Sequence, residues 1–317
     1  MTEKILFIYF FQPFAQYRNS LTFYYAQSYP LPPKTTIIGM LQRITGRYYD
    51  EEFWNLKISV HGGFESRLWN LQQLIGTPRI RLKKIGTRAF ICFESELQTG
   101  GTSALPLYGS KTKMIAKAYR GGITHQEELF NGHIYMFIRG KEDLLKEIYD
   151  AIQEPPIVLR LGRSEDIIFV RKILWVPDSS EVIAEERTVE DTLMLFFPTY
   201  IRLKSDNNAE IGLRKENLQR FPTYMIPIRQ SFYIIPKAKK KRKRNSAIDL
   251  EKTKVNNLYE LLSVDFKHRM RDVYFETVLW TGFNAILEFE RRTKVLFVKI
   301  KNKNSLKFWI IDEFGWL

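Results

Sequence analysis

The 317-residue chain is 44% hydrophobic and 26% charged, an ordinary globular balance that excludes a disordered or fibrous polymer and suffices for one large domain or two modest ones. Its 49 Lys and Arg against 35 Asp and Glu leave a net charge of +14 and an isoelectric point near 9.6, which favours a polyanionic partner. One cysteine, Cys92, excludes a disulfide framework and a cysteine-based zinc site, and no stretch approaches the roughly 20 uninterrupted apolar residues that cross a bilayer, so we expect a cytoplasmic protein without membrane contact.

The first segment, KILFIYFFQPFAQYR from Lys4, is rich in β-branched and aromatic residues up to Pro13 and predicts a strand running into a basic, aromatic turn. Next comes YPLPPKTTIIGMLQRITG, Tyr29 to Gly46, which places Pro30, Pro32 and Pro33 ahead of an apolar-periodic run. The prolines suit a helix start, Thr35 or Thr36 can cap it, and Ile37, Ile38, Leu41 and Ile44 recur at helical spacing until Gly46. LKISVHGGF and IGTRAFICFESEL predict two strands joined by the basic connection PRIRLKKIG. The stretch from about Gln98 to Phe130, with paired glycines at both ends, is too long and irregular for a simple turn and predicts an inserted hairpin or flap.

GHIYMFIRG alternates as a further strand, and KEDLLKEIYDAIQEPP predicts an amphipathic helix with Leu144, Leu145, Ile148 and Ile152 on one face and Pro155 as its stop. IVLRLGRSEDIIFVRKILWV adds a glycine-containing turn and a last strand. Over residues 1–176 this order is close to the split β-α-β of a ferredoxin-like or RRM-type α+β domain. Residues 177–317 break into short β-rich runs and predict a second, β-rich domain. The run Lys237 to Arg244, KAKKKRKR, reads first as a surface loop and second as a nucleic-acid contact; without its seven charges the rest of the chain still carries +7.

The four histidines, His61, His125, His133 and His268, show no metal-ligand spacing, and no phosphate loop, nucleophile elbow or dinucleotide fingerprint occurs, so neither a metal nor another cofactor is expected. His61, beside Gly62 and Gly63, reads as a packing residue. His125 reads first as a solvent-facing loop residue, and second as a group with the chemistry to move a 2′-hydroxyl proton in metal-free RNA cleavage. Cations interleaved with rings suit single-stranded RNA, because Lys and Arg neutralise phosphates while rings stack on unpaired bases. Three stretches have that character: Tyr17 with Arg18; Tyr108, Lys111, Lys113, Lys117, Tyr119 and Arg120 in the flap; and Arg160, Gly162, Arg163 and Ser164, where the glycine lets backbone approach a phosphate. Taken singly, each reads as well as solvated surface or aromatic core. Lys34, Thr35 and Thr36 stand at a helix N-terminus, whose unpaired N–H groups favour an anion.

FAQYRNS, then SYPLPPKTTIIGML, then LGRSE, with LWTGFNA and FWIIDEFGWL near the end, resemble the CRISPR-associated Cas-five family, and its longer type I-B branch in particular. The resemblance implies a noncatalytic subunit of the RAMP superfamily. It would have a ferredoxin-like palm, a β-hairpin thumb at about 98–130 that folds over RNA, and a variable C-terminal part. Such a subunit caps the 5′ handle of the crRNA in a type I Cascade complex. Its partners would be the large subunit that reads the PAM, the first backbone filament subunit, and potentially target DNA near the PAM. Arg18, Lys34, Gly162, Arg163 and Ser164 would line the handle groove, and Lys111, Lys113, Lys117 and Arg120 would hold the handle backbone. Two alternatives stay open: a type I-C-like metal-free endoribonuclease using Tyr119, Lys117 and His125, and a capping subunit of a type III effector.

Overall fold

In a computed structural model, which describes residues 3–19, 21–22, 25–73, 123–177, 180–234, 253–254, 269–301 and 305–317, the first strand has two apolar faces. This strand, β1 (Glu3–Ala15), turns Leu6, Ile8 and Phe10 to one side and Phe7, Tyr9 and Phe11 to the other. A strand that is apolar on both faces belongs in the middle of a covered sheet. It pairs antiparallel with β4 (Ile123–Lys141) on one side and β5 (Phe169–Val176) on the other. The outer edge of β4 carries β3 (Lys57–Gln73), antiparallel, while the two-residue β2 (Tyr25–Ala26) pairs parallel with His125 and Gln126 on the edge that β1 occupies further along. Across the sheet the order is therefore β3-β4-β1-β5.

Two helices cover one face. The first, α1 (Lys34–Thr45), buries Ile37, Ile38, Leu41 and Ile44 against Leu6, Ile8 and Phe10 and ends where Gly46 turns left-handed at φ 71°. Each of those aliphatic side chains contributes roughly 1.5–3 kcal/mol by leaving water. Its start differs from the expected Thr cap: Pro33 is the N-cap, in extended conformation, and its carbonyl accepts the N–H groups of Thr36 (2.9 Å) and Ile37 (3.2 Å) with no side chain involved. The second helix, α2 (Glu142–Gln153), buries the four predicted positions Leu144, Leu145, Ile148 and Ile152 and stops two residues before Pro155.

The opposite face is covered in part by the second half of the chain. There β6 (Val182–Val189), β13 (Thr293–Ile300) and β14 (Leu306–Ile311) form a small antiparallel sheet in the order β14-β13-β6. Val182, Val298, Ile300, Phe308 and Ile310 from it pack on Phe7, Tyr135 and Phe137. A further antiparallel sheet is built of β8 (Tyr200–Arg202), β9 (Thr223–Ile234), β10 (Thr253–Lys254) and β11 (Arg269–Trp280), and β7 (Thr192–Leu195) pairs with β12 (Ala285–Glu288). The described residues are thus mostly antiparallel sheet with few helices. Sequence periodicity missed the short α3 (Lys215–Arg220), which has too few residues for an apolar stripe.

The proline-rich stretch belongs to the core. Tyr29 and Leu31 are fully buried, and the Tyr200 hydroxyl accepts from the Leu31 N–H (3.1 Å) while donating to the Leu31 carbonyl (2.8 Å). Tyr29 in turn donates to the Met225 carbonyl at 2.8 Å. Prolines spare this buried segment backbone N–H groups that would need partners, so it can run through the interior between the two halves.

The sequence reading placed a flap at about 98–130. Residues 123–130 instead continue β4, in unbroken register with β3 from Ser66↔Phe130 to Gln73↔Ile123. The remainder of the flap, the predicted strand containing Cys92, the basic run Lys237 to Arg244 and His268 lie outside the described residues.

Candidate nucleic-acid interface

Two of the stretches singled out in the sequence, Tyr17 with Arg18 and Arg160 to Ser164, meet at one end of the first sheet. The end of β1, the segment leading into α1 and the loop after α2 are tied together by buried polar side chains. Gln12 donates to the Leu161 carbonyl (2.7 Å), the Gln16 N–H donates to Asp166 (3.0 Å), and the Tyr17 N–H donates to Ser28 Oγ (2.9 Å). Glu127 of β4 accepts the Ser28 N–H at 2.9 Å, and Gln126 donates to Gln16 Oε1 at 2.6 Å. Buried polar groups of this kind hold geometry because leaving any one of them unpaired costs roughly 1–3 kcal/mol.

Asp166 is the centre of the loop. Its fully buried carboxylate accepts the N–H groups of Gln16 and Arg163, the latter at 2.7 Å, and the Arg163 guanidinium at 2.9 Å. Gly162 makes this possible, with φ at 116°. A Cβ there would lie 2.5 Å from the Asp166 carboxylate and 3.1 Å from the Gln16 carbonyl. The close approach that the glycine permits is thus to Asp166 and to β1, and the expected approach to a phosphate has a structural competitor. Nothing in the residue pattern before LGRSED marked Asp166 out; the signal was the acid four residues after the glycine.

Burial and pairing within the chain engage several of the residues predicted to contact RNA. Tyr17 is 1% exposed, packs edge-on against Phe64 at 6.0 Å and donates its hydroxyl to Gln12, so its ring offers no face to a base. Burial, followed by the charge of Asp166, holds its phenol well above the ordinary pKa. Arg163 spends its donors on Asp166 and on Glu128 (2.8 Å); burial opposes its charge, but these hydrogen bonds outweigh it and raise its pKa. Ser164 donates to Glu165 at 2.8 Å. Thr35 is buried, Thr36 half-buried, and Lys34 is only 9% exposed with its Nζ donating to the Leu317 main-chain oxygen at 3.0 Å, so the N-terminus of α1 is covered.

Arg18 and Arg160 are the other two arginines singled out at this end. Arg18 is half-buried, its pKa lowered by burial, and its backbone bridges to Ser28. Arg160 bridges to Ile167, and its Nε is buried without a hydrogen-bond partner among the described residues. Tyr108, Lys111, Lys113, Lys117, Tyr119 and Arg120 lie outside the described residues. His125 pairs in register with Tyr25 of β2.

The buried Lys34 makes a measurable prediction. Burial, followed by the nearby Arg202, lowers its amine to about 8. Below that pH the folded chain carries the full cost of a charge held in an unfavourable place, and the cost lifts as pH rises from about 8 toward roughly 10.4, the unfolded value. In urea unfolding at pH 7 and pH 10, wild type should gain about 2–3 kcal/mol on Lys34→Met over that interval. Parallel stabilities at the two pH values would show that the amine titrates as it does in water.

Residues 5–229 match the family described as CRISPR-associated protein (Cas_Cas5). No curated protein matches. Among solved structures, the chain is similar at 17% identity and a TM-score of 0.30 to one described as "Crystal structure of Cas protein", over 51% of this chain and 58% of that one. It is similar at 12% identity, over 91% of each chain and with a TM-score of 0.42, to a chain of a "CRISPR RNA-guided surveillance complex". A CRISPR protein from Archaeoglobus fulgidus is similar at 10% identity, over 97% of this chain and 98% of that one, with a TM-score of 0.36. The chain spans 58% of the length of the first of these structures. Since the family match covers well over half of its residues, the protein belongs to the CRISPR-associated Cas5 family.

Proposed function

We propose that this chain is a noncatalytic RNA-binding subunit of a type I-B Cascade surveillance complex that caps the 5′ handle of the crRNA. On this reading the β3-β4-β1-β5 sheet with α1 and α2 is a ferredoxin-like palm. The large subunit and the first backbone filament subunit are its protein partners. Family membership and the net charge of +14 support it. The observation that carries it at residue level is Arg160, whose buried Nε–H has no partner among the described residues, in a loop cluster where Arg18 also lies. A phosphate oxygen would satisfy that donor and neutralise the charge at once.

The decisive experiment is nuclease footprinting of the crRNA in complexes assembled with and without this subunit. Protection of the 5′ end only when it is present is the expected result, and identical footprints would remove the proposal. For the residue assignment, Arg160→Ala should weaken handle RNA binding and lower the log-log salt slope by roughly 0.7, the share of one single-strand phosphate contact. An unchanged slope would take Arg160 off the RNA. Incubating the purified chain with repeat RNA in EDTA separates this reading from metal-free cleavage: intact RNA is expected, and specific cleavage lost in His125→Ala would favour the endoribonuclease.

A further inference from the structure

The face of the first sheet that looks away from α1 and α2 is only partly covered. Near β14 it is closed by Phe308, but toward the other end a row of rings crosses three strands in register. Phe169 of β5 is opposite Phe11 of β1, Phe11 is opposite His133 of β4, and His133 is opposite Gly63 of β3. The ring centroids lie 6.4 Å apart for Phe11 and Phe169 and 5.3 Å apart for Phe11 and His133. Gly63 has no side chain to add, and the space above it is taken by Phe283, whose ring lies 3.3 Å from where a Cβ would stand. Phe169 is 49% exposed and Phe283 60%.

Such exposure of phenylalanine is costly in water and calls for an occupant. Arg171 lies over the Phe11 ring, 5.6 Å from its centroid, which puts a cation on the same surface. The Tyr9 hydroxyl is 2.8 Å from His133 Nδ1 and fixes that ring. Rings and a cation, on a chain of charge +14, complement a polyanion with flat faces better than an aliphatic protein surface. Sheets of the RNA-recognition type stack bases on rings of this kind, and here Phe11 and His133 occupy the two central strands.

We propose that Phe169, Phe11, His133 and Phe283 form a stacking platform for unpaired bases of a single strand, with Arg171 holding its phosphate. The platform adjoins the Arg160 loop, since Gln12 next to Phe11 is bonded to Leu161 and Ile167, two residues before Phe169, bridges to Arg160, and it rests on the reading that this chain binds nucleic acid. Stacking on a ring is sequence-tolerant, so the platform would hold bases without reading them.

The test uses the full chain and three probes: a decamer of uridine, a decamer of thymidine and an abasic ribose-phosphate decamer. Phe11→Leu with Phe169→Leu keeps apolar bulk and removes two stacking faces. It should weaken the base-bearing strands about tenfold for each ring and leave the abasic strand unaffected. Tighter binding of the uridine strand would mark guide RNA as the source of the bases, and tighter thymidine binding a DNA strand. Photo-crosslinking with 4-thiouridine on wild type, which does not depend on how the variant folds, should map to this row. Crosslinks confined to other residues, with unchanged affinity in the double variant, would overturn the platform while leaving RNA binding intact. Absence of binding to all three probes by wild type would overturn both.

Discussion

Asp166→Ala should destabilise the folded chain by about 3–5 kcal/mol, the largest effect expected of any single polar substitution in the first sheet's end cluster. The carboxylate is fully buried and accepts two backbone N–H groups, from Gln16 and Arg163, as well as the Arg163 guanidinium. Alanine leaves both N–H groups without an acceptor, at roughly 1–3 kcal/mol each, and strips a half-buried cation of its nearest counter-charge. Glu128 at 2.8 Å retains part of the pairing, which keeps the total from rising further.

A double-mutant cycle sharpens this result. In Arg163→Ala the guanidinium is gone, so the added cost of Asp166→Ala should fall by about 1–2 kcal/mol relative to its cost alone. Urea midpoints of the four proteins give the coupling. Additive costs would mean that Arg163 and Asp166 act independently, and that the loop is held by its backbone N–H groups only. Asp166→Asn should recover part of the loss, because an amide oxygen in the place of Oδ2 still accepts both the Gln16 and the Arg163 N–H, while its NH2 faces the Arg163 guanidinium.

How much of this was legible in the sequence follows from what each signal measures. Apolar periodicity reports burial, and it located α2, the body of α1 and the central strands, whose Leu144, Ile148, Ile37 and Leu41 point inward as expected. Residue type reports chemical capacity, and it grouped Arg18, Arg160 and Gly162, segments that the fold does bring to one end of the sheet. Type alone cannot tell whether a capable group is already spent. Tyr17, Lys34 and Arg163 all have the chemistry of RNA contacts, and each is satisfied within the chain by Gln12, the Leu317 oxygen and Asp166 respectively. The Phe169–Phe11–His133 row was invisible for another reason. Its members come from three strands that are distant in sequence, and only the pairing register sets them side by side.

Acid should weaken wild type through His61, by about 2 kcal/mol at pH 5 and about 4 kcal/mol at pH 3. The ring is 2% exposed, with Ser59 Oγ 3.0 Å from Nε2 and the rings of Phe137 and Phe308 set around it at 5.6 and 5.5 Å. Burial lowers its pKa to about 3, whereas in the unfolded chain it titrates near roughly 6.5. Between those values the unfolded state binds a proton that the folded state refuses, so stability falls as pH drops through the window. Above about pH 7 both states are neutral and the contribution vanishes. His61→Phe fits the surrounding rings and cannot titrate, although it leaves the Ser59 hydroxyl to find another acceptor. It should lose some stability at pH 7.5 and then run flatter than wild type from pH 6.5 downward, so that the two curves converge or cross. Thermal or urea unfolding across pH 3.5–7.5 measures the difference directly. Curves that stay parallel over that range would mean that His61 accepts its proton in the folded chain, and that the aromatic cluster between the sheets opens to water.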